Sequence, residues 1–550
     1  MRSGINHVCI NGGGQAGRIV WCEMSLGARP PIKPGEMPAK PWVVINEDND
    51  RYFIAADKPG RIEGTTAEAC RRYIDAVLDS AGKITHYFMC VCGQRASFDS
   101  KAWEPIWKGL EGGVEVDGVT PATNNAWCLN AKRMHEKGVD PYAIWTRRCR
   151  ERGVSPWISM RMNDNHYCNI TNYFRNENFW RYHPELRLKR PANKPSWASN
   201  FLYNNLDYTE EAVRAHAYAM VDEILARWDT DGIEIDWMRC PNNLAPSTEE
   251  ENSWVLTEFM RGVRRRTDEA SRRRGHPVRV AVRIPPVLPM AKSLGYDAES
   301  WARDGSVDIV ILCNAFSSAE FNFDMVDWQA RIKRMNPDVA VIPGMDVCVS
   351  CCYPARHLMS GEYSAFRRGF CLAHRNPDGF YFFNMPYMPA ETQTEVYSRS
   401  LVPSRLETKA RRFAVSYHDV NWSGKKSAMQ LPAPISRPVS LVTRAVAGRF
   451  DSEARVVVGF DLESADFPST VTLNGVAATG PHERLGDASC CGELAKSAAS
   501  WSFPASAIRD GENTIAFVAV PGSKAKMVWC EIELPEPSAR TILTTTTKGK

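Results

Sequence analysis

The chain has 550 residues, with 68 Lys and Arg against 64 Asp and Glu, a formal charge of +4. With 44% hydrophobic and 24% charged residues it has an ordinary globular composition, which excludes a disordered chain, a collagen-like chain and a coiled-coil rod. The near-neutral balance argues against a nucleic-acid partner, and no run of about 18 apolar residues offers a membrane span.

At the N-terminus, Gly12, Gly14 and Gly17 spell the dinucleotide fingerprint G-x-G-x-x-G. That motif needs a helix directly behind it. The text that follows, RIVWCEMSLGARPP, is β-like and then broken by proline, so a glycine turn between strands is expected and no cofactor. IVWCEMSL (19–26) echoes MVWCEIEL (527–534). Residues 1–41 are accordingly expected to be an N-terminal β extension packed on a sandwich, with chance likeness of two strands as the other reading. The first fifteen residues show no apolar core of the secretory kind. The 17 cysteines lack framework spacing and suit free thiols. Together these features predict a cytoplasmic protein.

From Trp42 onward short apolar runs alternate with helical text. WVVINEDN (42–49) reads as a strand, and TTAEACRRYIDAVLDS (65–80) as a helix opened by Thr65 and Glu68 in capping-box spacing. Further strands are read at 84–92, 154–164, 231–237, 278–284, 307–312, 339–347 and 379–385, with helical stretches between them. One of those helices is opened by Ser247 and Glu250 and ends near Gly275. Near-continuously apolar strands with helical crossovers are buried on both faces, as in a parallel sheet. Eight such units over residues 42–395 predict a (β/α)8 TIM barrel, with a doubly wound sheet as the alternative. Beyond residue 396 the strands alternate in polarity and are separated by Gly, Asp, Asn and Pro. A C-terminal antiparallel β-sandwich over 396–536 follows, and 537–550 reads as a tail.

The segment RGVRRRTDEASRRRG (261–275) reads as a solvated helix face. Asn169–Thr171 and Asn421–Ser423 match the glycosylation triplet but carry little weight without a secretory signal. Cys348, Cys351, Cys352 and His357 have zinc-compatible spacing, but no second cysteine pair completes a site, so no metal is expected.

The chemical signal lies in DGIEIDWMR (231–239). Alternation along a parallel strand turns Ile233 and Ile235 towards the helices, and Gly232, Glu234 and Asp236 towards the barrel axis. Two carboxylates near the C-terminal end of a strand stand where barrel enzymes keep their chemistry. The competing reading is a structural carboxylate paired with Arg239 or Arg283. Other strand ends carry Arg161, Asn163, Asp164 and His166, then Asn314, Asp346, Tyr381 and Asn384. The loop from Asn165 to Arg190 is dense in Tyr, Phe, Trp and Asn, side chains that suit the mixed CH and hydroxyl faces of sugars.

At this point the chain resembles the (β/α)8-barrel glycoside hydrolase superfamily over residues 42–390, as an uncharacterised or divergent family. The resemblance rests on DGIEIDW. In the α-amylase family the corresponding text is G-x-R-x-D with the last Asp as nucleophile. Asp236 takes that position, and Glu234 stands in place of the Arg. In the chitinase family the text is D-x-x-D-x-D-x-E. Asp231 and Asp236 fit it, Glu234 replaces the middle Asp, and Met238 occupies the acid position. The resemblance implies a glycosidase using two carboxyls, with Asp236 as nucleophile or base and Asp346, then Glu234, as its partner. Arg161, Asp164, His166, Arg239, Asn314 and Asn384 would bind the carbohydrate substrate, and Trp237 and Tyr381 would stack on a ring. Two further readings stay open. One is a metal-dependent barrel hydrolase using Asp346 with the Cys348–His357 region, and the other is a non-catalytic carbohydrate-binding protein.

Overall fold

The structure is a computed structural model describing residues 30–55, 64–80, 84–109, 122–166, 168, 173–189, 204–245, 248–314, 319–346, 348–352, 361–375, 378–384, 406–407, 409–416, 430–448, 453–463 and 466–536. The glycine triplet, the 19–26 echo, both glycosylation triplets, His357 and the tail lie outside them.

Eight parallel strands close into a barrel in sequence order. They are β1 (Trp42–Glu47), β2 (His86–Cys90), β3 (Ser155–Arg161), β4 (Gly232–Asp236), β5 (Arg279–Ile284), β6 (Ile309–Cys313), β7 (Ala340–Met345) and β8 (Gly379–Phe383). β8 pairs back onto β1, with Val44 opposite Tyr381, which rules out the doubly wound alternative. Every crossover carries a helix. The longest are α1 (Glu211–Arg227) before β4 and α2 (Ser253–Arg274) after it. No helix among the described residues is long and apolar enough to cross a membrane.

The two-residue period sorts the side chains as expected. Ile233 and Ile235 join the outer core with the helices. Trp42, Val44, Phe88, Trp157, Ile309, Ile311, Ile342 and Tyr381 fill the lumen. Gly232 is a glycine because the lumen is full there: an added Cβ would fall inside the Trp157 ring.

Residues 30–41 form no strand and run across the N-terminal mouth of the barrel. Gly35 N–H donates to the buried Asp231 at 2.8 Å, Arg279 donates to the Gly35 carbonyl at 2.9 Å, and Lys40 pairs with Asp378 at 2.6 Å. Two helix starts are corrected. The helix Ala67–Ser80 is capped by Thr66, whose Oγ1 accepts from Ala69 N–H at 3.1 Å, while Thr65 receives Lys137 Nζ. α2 begins after Asn252 rather than at 247–250. The arginine run on α2 lies on an ion-paired face, meeting Asp222, Asp304 and Asp308 of neighbouring elements.

The C-terminal unit is two antiparallel sheets. One is built around the strand Glu453–Phe460 between the strands Ser497–Pro504 and Lys526–Leu534, and the other around the strand Gly511–Phe517. β9 (Arg411–Ala414) adds to the strand Lys526–Leu534 and packs on the barrel helix Gly361–Ala373. An added Cβ at Gly369 of that helix would meet the Arg412 carbonyl. The fifteen cysteines among the described residues are all free.

Candidate active site

The site is the C-terminal mouth of the barrel. β4 delivers Asp236 to its rim, where β5 places Arg283 directly opposite in register. Arg283 Nε donates to Asp236 Oδ1 at 2.8 Å and Nη2 to Oδ2 at 2.9 Å. Met238 N–H adds a bond to Oδ1 at 2.9 Å. Both partners are 1% exposed. Asp236 is therefore ion-paired, as the competing reading held, and its orientation is fixed by a two-point guanidinium fork. The Arg283 guanidinium rests on the Phe383 ring at 4.0 Å.

Glu234 lies two residues deeper on the same strand, about 7 Å below Asp236 along the axis. It is fully buried. Its Oε2 accepts from Asn46 Nδ2 at 2.8 Å. The Ser159 and Tyr381 hydroxyls lie near the carboxylate, but neither hydroxyl nor Oε1 has a hydrogen-bond partner. Burial, then the charge of Asp236, pushes its pKa up to about 7. Asp346, just past β7, is also buried. Burial raises its pKa to about 6 against the pull of Arg283 and Arg239.

A second cluster completes the rim. Arg161 at the end of β3 pairs with Asp48 and, at 2.7 Å, with Asp164. Asn384 donates to Asp48 at 3.1 Å. Burial would raise Asp48, but Arg161 and Arg239 outweigh it and hold it at about 2. Asp164 is held well below the usual carboxylate range, with burial outweighed by His166 and Arg161. His166 contacts Asp164 through Nδ1 and Arg239 through Nε2, the latter at 2.8 Å. Burial is the main cause that lowers His166 to about 4.

The structure thus gathers Asp236, Asp346, Arg161, Asp164, His166, Arg239, Asn314 and Asn384 at one end of the barrel. Two expected stacking residues do not belong there. Trp237 falls on the outward-facing parity and is buried among Tyr208, Phe259 and Tyr296 at 5.1–6.1 Å. Tyr381 has the inward parity but lies a layer too deep, edge-on to Phe88 at 6.0 Å. Both rings are fully buried. Asp48 and Asn46 went unread, although the alternation of β1 turns both inward with Val44. Of the cysteine group, Cys348 directs its backbone N–H at Asp346. Cys351 and Cys352 donate to the Cys530 and Val528 carbonyls of the strand Lys526–Leu534, at 3.5 and 3.1 Å, so these thiols serve the contact with the sandwich.

Fold and site define a (β/α)8-barrel protein with a charged C-terminal mouth and an attached β-sandwich. No protein-family model and no curated protein sequence matches the chain. Among solved structures it is similar to the GH36 alpha-galactosidase AgaB from Geobacillus stearothermophilus, at 12% identity and TM-score 0.32, covering 92% of this chain and 56% of that one. It is similar to the endo-beta-1,4-mannanase from Thermotoga petrophila at 10% identity and TM-score 0.40, covering 90% and 97%. The putative alpha-L-fucosidase from Bacteroides thetaiotaomicron matches at 10% identity and TM-score 0.32, covering 93% and 100%. The chain spans about half the length of the α-galactosidase it matches. The barrel itself is established by its closed strand order.

Proposed function

We propose that the protein is a glycoside hydrolase acting on an oligo- or polysaccharide at the C-terminal mouth of the barrel. The observation that carries this reading is the contrast between two buried carboxyls around Arg283. Asp236 is bound by the guanidinium as an ion pair, whereas burial raises Asp346 to about 6. Glycosidic cleavage needs such a split, one carboxyl to protonate the leaving oxygen and one carboxylate to attack or to activate water. Asp346 is the acid in this scheme and Asp236 the nucleophile or base. Glu234, sealed beneath Asp236, orients the lumen side through Asn46. The free thiols suit a reducing compartment.

The two-point clamp on Asp236 also favours a second reading, a carbohydrate-binding barrel in which that carboxylate is structural. A panel of aryl glycosides and natural glycans separates the two. Wild-type protein is expected to release reducing ends from at least one member, with no loss in chelator. Binding without release supports the second reading, and release abolished by chelator supports a metal-dependent hydrolase.

A further inference from the structure

Three arginines ring the barrel mouth, and two are matched by carboxylates. Arg161 meets Asp48 and Asp164, and Arg283 meets Asp236. Arg239 differs. Among the described residues no carboxylate lies within ion-pair distance of it. Its Nη2 donates to His166 Nε2 at 2.8 Å, and its Nε is buried with no hydrogen-bond partner. The imidazole it meets is neutral by geometry. A guanidinium only donates, so Nε2 accepts and Nδ1 carries the proton directed at Asp164. Asp164 and His166 therefore hold Arg239 in place without a direct ion pair to it. A half-buried guanidinium facing a neutral ring forgoes the ion pair that would offset its desolvation.

We propose that Arg239 determines specificity by pairing with an anionic substituent, a carboxylate or a sulfate ester, on the saccharide bound at the barrel mouth. The substrate is then an acidic glycan. The planar fork of an arginine matches either oxyanion with two parallel hydrogen bonds. This inference rests on reading the mouth as a saccharide site. A purely structural Arg239, acting at a distance on Asp48, Asp164 and Asp346, would give no discrimination by substituent charge.

The test is a glycan array carrying matched neutral, uronate-containing and sulfated saccharides. It is probed with Asp236→Asn, with Asp236→Asn/Arg239→Gln and with Asp236→Asn/Arg239→Lys, all checked for native melting. Asp236→Asn is expected to bind acidic members about 100-fold more tightly than their neutral partners, the size of a charged hydrogen-bonded contact. Arg239→Gln should cut that ratio at least about tenfold, and Arg239→Lys should retain part of it. The uronate and sulfate arms identify which anion is taken. Equal binding of neutral members, a preference that survives Arg239→Gln, or no binding to any saccharide overturns the proposal. Incubating wild type with the same saccharides keeps the two claims apart. Acidic glycans bound but left uncut sink the hydrolase reading alone, and neutral glycans cut in preference sink the specificity of Arg239 alone.

Discussion

Arg283 does two things at the barrel mouth. It clamps Asp236 through two hydrogen bonds, and it restrains Asp346 from rising further. A buried pair of this kind gives little net stability, but removing one partner leaves an uncompensated charge. Arg283→Leu is therefore expected to lower unfolding free energy by about 3–5 kcal/mol, measured by urea denaturation. Asp236→Leu/Arg283→Leu should recover most of that loss, since neither charge remains. A single variant as stable as wild type would show that the Arg283–Asp236 ion pair does not hold the folded protein together. At this scale the sequence was legible where parity alone decides position. Glu234 and Asp236 face inward because their neighbours Ile233 and Ile235 face the helices. Trp237 was misplaced because it follows the last strand residue and reverts to the outward parity. Tyr381 was misplaced because parity says nothing about depth, and two residues move a side chain about 7 Å along the axis.

Elements are positioned by close packing at a few glycines. Gly232 opens β4 beneath Glu234 and Asp236, against the Trp157 ring. Trp157 is itself stacked on Phe88 at 4.9 Å and has no free space to yield. Gly232→Ala is expected to cost about 1–3 kcal/mol by overpacking, with the loss read from the denaturation midpoint. Gly138→Ala offers a contrast, because no atom lies near its added Cβ although its φ of +67° adds strain. If Gly232→Ala proved neutral, the packed lumen described above would be wrong. Strand existence was read well from apolar runs. Helix starts were not, because neighbouring threonines compete for one cap, and Thr66 rather than Thr65 reaches the free amide.

At the scale of the whole molecule, burial of carboxyls sets the pH dependence of stability. Glu47, Glu234 and Glu531 are raised to about 7 and Asp346 to about 6, each chiefly by burial. Their unfolded values are near 4. Between those limits these four carboxyls bind more protons in the folded state, which outweighs the opposite effect of the buried His166 and His374, lowered to about 4 and about 3, so stability falls as pH rises. Asp48 and Asp164 work in the opposite sense, and their stabilising contribution is lost as pH falls below about 4. Chemical denaturation across pH is expected to show maximal stability near pH 4–5 and a decline up to about pH 7. A curve that rises over that interval would contradict the burial of these groups. The barrel and sandwich were legible from the change in periodicity near residue 400. Their docking through Cys351, Cys352 and Gly369 was not, since thiols and a helix glycine carry no signal for an interface partner far along the chain.

We propose that Asp236 and Asp346 cleave a glycosidic bond. The most direct measurement is kcat/KM of wild type, Asp236→Asn and Asp346→Asn on one cleaved substrate, each with a good and a poor leaving group. Asp236→Asn is predicted to lose about 10³-fold or more on both. Asp346→Asn is predicted to lose about 10²–10⁴-fold on the poor leaving group and much less on the good one, which needs no protonation. Wild-type rates in Asp236→Asn, or an Asp346→Asn loss independent of the leaving group, would contradict the account.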